Sequence, residues 1–466
     1  MLFNSLTFLA FLPIVFCFYW ALNGHLRLQN LAIVGASYVF YGWWDWRFLV
    51  LIAFTSAWAY VFGLLPRSRL YVAISLVVNL GILCFFKYYN FFVDSFCAML
   101  GLQGGHSSVN IILPVGISFY TFQALSYTLD VYRGTVLPTK DVVAFFAYIS
   151  FFPQLVAGPI ERAVNLLPQF LKARYFDYAL AVEGSRQMLW GFAKKVLVAD
   201  YCAETANRLL ENGQHSSIAL WIGMLFFTFQ IYGDFSGYSD IAIGCAKLFG
   251  FRLMRNFAYP YFARDIAEFW RRWHISLTTW FRDYLYIPLG GSRCGAYKKI
   301  RNTFVIFVVS GLWHGANWTF VLWGVFHAVC FIPLLMMGKN RRYVGDYVAA
   351  GRYCPSLAES AKMVATFLLV VVGWTFFRAP DISTAFSWVG RMLSFSSLAL
   401  KGAGLSGIVV PIVCVVSLLL VEWGNRMREI PALPCNRFMR WTIYVSLASA
   451  IIFLHPDANA FIYFQF

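Results

Sequence analysis

Two histidines are the side chains of this sequence that are best suited to chemistry. His274 lies in the segment Phe269-Trp-Arg-Arg-Trp-His-Ile-Ser-Leu277, and His314 lies in Gly311-Leu-Trp-His-Gly-Ala-Asn317. The second segment interrupts an apolar run that is long enough to enter a lipid bilayer. Because an ionisable side chain in such a run is costly to bury, we interpret His314 as a candidate functional residue.

The neighbours of His314 suit acyl transfer to an alcohol. A neutral imidazole can take the proton of a hydroxyl group, which this reaction requires. Gly311 and Gly315 would let a ligand or another backbone come close, and the amide of Asn317 could orient a substrate or stabilise an oxyanion. A histidine that packs between helices through hydrogen bonds would leave the same pattern, so the residues alone leave both interpretations open.

His274 lies in a basic, tryptophan-rich segment of a kind that is typical of an amphipathic helix at a membrane interface. That interpretation explains Arg271, Arg272 and the tryptophans, but it does not explain the histidine. Together with Arg282, these arginines could instead bind a phosphate-rich ligand such as coenzyme A.

Two further ionisable residues lie in apolar runs. His327 has no special neighbours in the sequence and is interpreted as structural. Asp234 lies in Gly233-Asp-Phe-Ser-Gly237, a pattern that predicts a break in a long apolar helix. Asp234 would either pair with the central arginines or line a cavity, and the sequence does not choose between these roles.

The composition indicates a polytopic α-helical membrane protein. Of the 466 residues, 60% are hydrophobic and only 12% are charged, which lies outside the range of soluble domains. The net charge of +16 is interpreted as lysines and arginines that face the cytoplasm and anionic lipids, not nucleic acid. The ten cysteines form no CxxC pair, so neither a disulfide framework nor a metal site is expected.

Apolar runs predict about eleven spanning helices, with re-entrant or interfacial helices in the middle third. Pro153 and Pro159 predict a second break within a membrane segment. We expect one membrane-embedded domain over residues 1–466, with a catalytic core at about 113–330. The predicted spans are 3–22, 29–44, 46–65, 70–86, 111–129, 218–250, 303–320, 321–338, 362–378, 405–423 and 441–455.

Several longer motifs make the chain resemble the membrane-bound O-acyltransferase (MBOAT) family, and within it the bacterial branch that acetylates polysaccharides. The resemblance extends over nearly the whole chain, including the aromatic tail 461–466. The motifs are Glu268-Phe-Trp-Arg-Arg-Trp-His-Ile-Ser-Leu277, Arg282-Asp-Tyr-Leu-Tyr-Ile-Pro-Leu-Gly-Gly291, Gly311-Leu-Trp-His-Gly-Ala-Asn317, Asp234-Phe-Ser-Gly-Tyr-Ser-Asp240 and Phe152-Pro-Gln-Leu-Val-Ala-Gly-Pro159.

The resemblance implies an MBOAT fold in which His314 is the essential catalytic residue and His274 is the second histidine of a pair. It also implies a cytoplasmic acetyl-coenzyme A donor, with no tightly bound cofactor, and an acceptor on the far face of the membrane. The resemblance further implies a separate SGNH-type partner in the periplasm, since bacterial members usually work with one. Such a partner fits the absence of a hydrolase-type serine motif from this chain.

We therefore expect an O-acetyltransferase of the bacterial inner membrane that serves the O-acetylation of an extracytoplasmic polysaccharide. The sequence does not say whether the polymer is alginate, cellulose, peptidoglycan or another glycan. A transporter of polysaccharide or lipid would suit the two predicted helix breaks as well, and an MBOAT enzyme could also acylate a lipid or a protein. The residues expected to bind substrate are Asn317, Trp313, Arg271, Arg272, Arg282 and Asp234.

Overall fold

The computed structural model describes residues 1–101, 111–156, 158–211, 216–345, 347–394, 406–454 and 461–462. Within these ranges the secondary structure is helical and contains no β-strand, which confirms the all-α prediction. Four residues of the aromatic tail, 463–466, lie outside the described residues.

The helices are numbered in chain order. Stretches of π-helix join α9 to α10 at Ala193–Ala199 and follow α13 at Arg282–Tyr286. The helices are α1 (Leu6–Ala21), α2 (Leu26–Gly42), α3 (Leu49–Leu64), α4 (Arg69–Met99), α5 (Ile117–Arg133), α6 (Val142–Ser150), α7 (Phe152–Leu155), α8 (Ala163–Phe170), α9 (Tyr178–Phe192), α10 (Asp200–Glu211), α11 (Ser217–Leu248), α12 (Ile266–Arg272), α13 (Ile275–Phe281), α14 (Ala296–His314), α15 (Trp318–Met336), α16 (Leu357–Arg378), α17 (Ile382–Ser394), α18 (Ser406–Gly424) and α19 (Arg437–Phe453).

Each predicted apolar run coincides with a helix of the structure. In the part of the chain that the structure describes, six helices are long and apolar enough to cross a membrane, which supports a multi-pass protein. How many of the eleven cross the membrane stays a prediction. The six are Trp46–Leu64, Arg69–Met99, Ser217–Leu248, Trp318–Met336, Leu357–Arg378 and Gly407–Gly424.

The chain divides into two compact units. The first contains residues 1–188 and 238–254, and the second contains residues 189–237 and 255–466. In the first unit, Arg174 donates to the hydroxyl of Tyr19 at 2.6 Å and to the amide oxygen of Asn30 at 2.5 Å. The single membrane-embedded domain over residues 1–466 and its catalytic core at about 113–330 stay predictions.

The predicted break near Pro153 is present in the first unit. Helix α6 ends at Ser150, and the short helix α7 begins at Phe152 with Pro153 in its first turn. Proline suits this position because its missing N–H would have no partner in the first turn of a helix. The backbone N–H of Phe152, the residue before this proline, is satisfied by the hydroxyl of Ser37, to which it donates at 3.1 Å.

The predicted break at Gly233 and Gly237 is wrong, since α11 runs unbroken through both residues. In the second unit these glycines allow close packing instead. A Cβ atom on Gly237 would lie 2.8 Å from the carbonyl oxygen of Gly191, and one on Gly233 would lie 3.1 Å from that of Lys194. The transporter alternative thereby loses one of the two helix breaks on which it rested.

Candidate active site

His314 is the last residue of α14, at the tip of a helical hairpin. Gly315 is extended, and Asn317 caps the following helix, α15, by accepting the N–H of Thr319 at 3.0 Å. The helices touch through glycine: a Cβ on Gly311 would lie 2.2 Å from the carbonyl oxygen of Phe320. The histidine therefore lies where one helix ends and the next begins, at the interruption of the apolar run.

The imidazole of His314 is enclosed by aromatic rings. Its centroid lies 5.1 Å from that of Trp323, 5.4 Å from that of Phe377 and 5.0 Å from that of Trp313. The residue is 4% exposed. The C-terminal end of a helix carries partial negative charge, which favours a positive charge on a side chain there. This position would therefore stabilise a protonated imidazole at His314.

His274 lies between two short helices, not in one amphipathic helix as expected. Helix α12 ends at Arg272, α13 begins at Ile275, and His274 has the left-handed backbone angles φ 45° and ψ 54°. Such a conformation is strained in residues other than glycine and recurs at functional sites. Backbone hydrogen bonds hold it on both sides: Ile275 donates to Asn256 at 2.9 Å, and Ala258 donates to Arg272 at 2.9 Å.

The tryptophans of this segment are buried, so the interpretation as a membrane-interface anchor is wrong for them. Trp273 is 1% exposed, and Trp270 packs edge-on against Trp323 at 5.5 Å between ring centroids. His274 itself is also buried, and this burial lowers the pKa of its imidazole to about 3. The histidine lies outside the six possible membrane spans and is neutral at physiological pH.

Both histidines pack against the same side chain, the indole of Trp313. The indole of Trp313 lies 5.7 Å from the ring of His274 and 5.0 Å from that of His314, measured between centroids. Trp313 is 5% exposed. Three of the residues singled out in the sequence thus form one buried cluster, while their catalytic and binding roles stay predictions.

Asp234 pairs with a residue that the sequence did not single out. In the second unit its carboxylate lies 2.8 Å from Nζ of Lys195, which also contacts Asp200 at 2.8 Å. All three side chains are buried. Of the two roles left open by the sequence, Asp234 therefore has an ion-pair role, but its partner is a lysine and not one of the central arginines. No motif could have indicated Lys195, because its role depends on how the π-helical turn packs against α11.

The three arginines predicted to bind substrate differ in the hydrogen bonds and ion pairs that their guanidinium groups already form within the protein. Arg272 donates to Glu268 at 2.7 Å and to the carbonyl of Ala258 at 3.1 Å. Arg282 is paired with the neighbouring Asp283 at 2.6 Å and remains largely exposed. Arg271 donates from Nη1 to the carbonyl of Asn340 at 2.7 Å, whereas its Nη2 has no hydrogen-bond partner among the described residues.

Asn317 and His327 are the two remaining polar candidates of this hairpin. Both ends of the Asn317 amide are used, because its nitrogen also donates to the carbonyl of Pro380 at 3.0 Å. His327 is buried and lies 5.0 Å from Trp323, the ring that also packs on His314. Neither arrangement points to a bound substrate.

Comparison with known proteins places these residues in a wider context. The family model described as "membrane-bound O-acyltransferase family" matches residues 138–347, a range that contains both histidines. The chain is 40% identical over 441 residues to the probable alginate O-acetylase AlgI of Pseudomonas putida, covering 91% of this chain and 88% of that protein. It is 32% identical over 485 residues to the peptidoglycan O-acetyltransferase of Helicobacter pylori, covering 96% and 86%. The teichoic acid D-alanyltransferase of Bacillus subtilis is 27% identical over 297 residues, covering 59% and 71%.

Proposed function

The chain belongs to the membrane-bound O-acyltransferase family and is a multi-pass membrane acyltransferase, and from this premise we propose that it passes acetyl groups from cytoplasmic acetyl-coenzyme A to an extracytoplasmic polysaccharide. Relatives named for alginate and for peptidoglycan O-acetylation support an acetyl group and a glycan acceptor. The bacterial inner membrane is the proposed location, since it separates such a donor from such an acceptor.

The observation that carries the proposal is that two buried histidines both pack against Trp313. In the proposed reaction His314 takes the proton of the acceptor hydroxyl, whose oxygen forms a bond to the thioester carbonyl carbon. The carbon–sulfur bond then breaks, and the departing thiolate receives the proton from the imidazolium. A thioester is already activated, so positioning and one base can suffice.

The donor phosphates are proposed to bind at Arg271, whose Nη2 has no hydrogen-bond partner among the described residues. A guanidinium with a free N–H can form a charge-assisted hydrogen bond to a phosphate oxygen. Arg282 is proposed to contribute as well, because its ion pair with Asp283 is exposed and a phosphate could replace the carboxylate. Arg272 is better suited to hold the segment in place, since its donors are already engaged.

The acceptor hydroxyl is proposed to belong either to a sugar or to the serine of a periplasmic SGNH-type partner that completes the transfer. The two sources share the same chemistry at His314. They differ in what must be supplied for turnover. A sugar acceptor requires only the glycan, whereas a serine acceptor requires the partner protein.

The test uses the full-length protein purified into lipid vesicles. With acetyl-coenzyme A and an acceptor glycan, with or without the partner, we expect thiol release that depends on the acceptor. The His314→Ala variant is expected to release no more thiol than empty vesicles. Transport of a glycan without any thiol release would refute the proposal and favour a transporter.

A further inference from the structure

A side chain that no motif contains makes the closest polar contact of His274. Asn256 is 1% exposed and lies in the extended segment that precedes α12. Its Oδ1 lies 3.1 Å from Nδ1 of His274, 2.9 Å from Oγ of Ser276 and 3.3 Å from the backbone nitrogen of Ser276. Three polar groups of the 274–276 segment thus converge on one amide oxygen.

The backbone contact decides which way the amide of Asn256 points. A backbone N–H can only donate, so the atom that faces the nitrogen of Ser276 is the amide oxygen. An amide oxygen can only accept, and Nδ1 of His274 must therefore carry a proton. The Ser276 hydroxyl could in principle donate to an unprotonated Nδ1. It lies nearer to the Asn256 oxygen, at 2.9 Å, than to Nδ1, at 3.4 Å, and so donates to the Asn256 oxygen.

The tautomer of His274 follows from these contacts. The side chains packed on the ring, Phe235, Phe257 and Trp313, carry no charge. The buried imidazole is therefore neutral and carries one proton, on Nδ1. Its Nε2 has a lone pair, and this atom has no hydrogen-bond partner among the described residues.

We propose that Asn256 is a positioning residue for the acyl transfer: it fixes the Nδ1–H tautomer of His274 and so leaves Nε2 as a hydrogen-bond acceptor. The inference rests on the proposed function and refines the part played by His274. In this tautomer His274 cannot donate to the oxyanion of the thioester. It accepts a hydrogen bond from an O–H or N–H group of a substrate, next to the base His314.

Two substitutions of Asn256 separate this role from mere packing. Asn256→Asp keeps an oxygen that accepts from Nδ1, and its charge raises the pKa of His274. We expect this conservative variant to retain acetyl transfer at high pH, where its His274 is neutral. Asn256→Leu removes the acceptor, and we expect acetyl transfer to fall at least about ten-fold at every pH.

The matched control is Asn79→Leu, which removes another buried asparagine, one whose side-chain hydrogen bonds among the described residues stay within α4. Equal membrane levels of all variants are verified first. The proposal is overturned if Asn256→Leu transfers acetyl groups as fast as the control. It is equally overturned if both Asn256 variants are inactive to the same degree at every pH.

A second measurement does not depend on turnover. In protein labelled with ¹⁵N-histidine, the His274 signals are assigned by their loss in His274→Gln. We expect a protonated Nδ1 and an unprotonated Nε2 in the wild type, and a change in this pattern in Asn256→Leu. A protonated Nε2 in the wild type would disprove the tautomer even if acetyl transfer is observed. A wild type that shows the expected tautomer but no acetyl transfer would instead count against the proposed function.

Discussion

The carboxylate of Asp234 accepts a hydrogen bond from the backbone N–H of Ile462 at 2.6 Å. The two residues belong to the same unit, and the neighbouring Phe461 packs against Phe235 with ring centroids 6.1 Å apart. Phe235 in turn meets His274 edge-on at 4.6 Å. Residues 461–462 are therefore held beside the candidate active site by a buried acid whose charge Lys195 balances.

This arrangement predicts that Lys195 is more important for stability than its acidic partners. Lys195→Met would leave Asp234 and Asp200 buried without their cation, and breaking a buried pair in this way costs about 3–5 kcal/mol. The measurement is thermal unfolding of the purified protein in detergent. We expect a clear loss of stability even when substrate is present.

The control for Lys195→Met is Arg208→Met. Arg208 pairs with Glu204 at 2.5 Å on an exposed surface of α10, where such a pair contributes about 0–1 kcal/mol. A similar loss in both variants would show that the buried cluster has no special role.

The helical hairpin gives a second prediction. Gly311→Ala would place a Cβ atom 2.2 Å from the carbonyl oxygen of Phe320, which forces α14 and α15 apart. We expect lower stability and loss of acetyl transfer, because His314 ends α14. Gly390→Ala is the control, since nothing lies within 4 Å of its Cβ position in α17. Alanine there should be neutral or stabilising by about 0.5–1 kcal/mol, and equal effects at both glycines would contradict the packing argument.

Arg271→Gln tests the proposed donor site. Removing a charge-assisted hydrogen bond to a phosphate should raise KM for acetyl-coenzyme A about ten-fold, with little change in kcat. The measurement is initial rates of thiol release at varied donor concentrations. Arg47→Gln removes an equal charge from an exposed pair with Asp45 and should leave KM unchanged. An unaltered KM in Arg271→Gln would place the phosphates elsewhere.

The burial of His274 predicts a pH dependence of stability. Its pKa is lowered from 6.5 to about 3 in the folded protein, so between these values the unfolded chain binds a proton that the folded chain does not. Its contribution to the free energy of unfolding therefore falls as the pH drops from about 6.5 towards 3, by about one kcal/mol per unit.

The pH prediction is measured as a difference between two proteins. Wild type and His274→Gln are unfolded at several pH values, and the stability of the wild type relative to the variant should decrease on acidification. If the difference in stability between the two proteins stays constant across this pH range, His274 has the same pKa in the folded and the unfolded chain, and the prediction is wrong.

Much of the architecture could be predicted from local patterns. The structure has a helix at every span that hydropathy predicts. Pro153 predicts a true break because the effect of a proline, a fixed φ and a missing N–H, is confined to its own backbone. The glycines of α11 misled for the opposite reason. A glycine that breaks a helix and one that admits a neighbouring backbone look alike in sequence, and Gly237 is of the second kind because Gly191 packs against it.

The site shows the same limit. His314 stood out because a histidine is rare in an apolar run, whereas Asn256 and Lys195 carry no such signal. The contact of Asn256 with His274 exists only because the backbone at 256–258 lies along that at 272–275. The pattern of Trp270 and Trp273 is typical of a membrane interface, yet both are buried. Sequence cannot tell an aromatic side chain at an interface from one in an aromatic core.

The most direct test compares His314→Ala with His327→Ala in cells that lack the wild-type protein. Both histidines are buried and pack on the same ring, that of Trp323, so the two variants lose similar packing. The measurement is the O-acetyl content of the surface glycans at equal membrane levels of each variant. We predict that acetylation falls by about a hundred-fold or more in His314→Ala and persists in His327→Ala. Persistence of acetylation at the wild-type level in His314→Ala would contradict the assignment of His314 as the base.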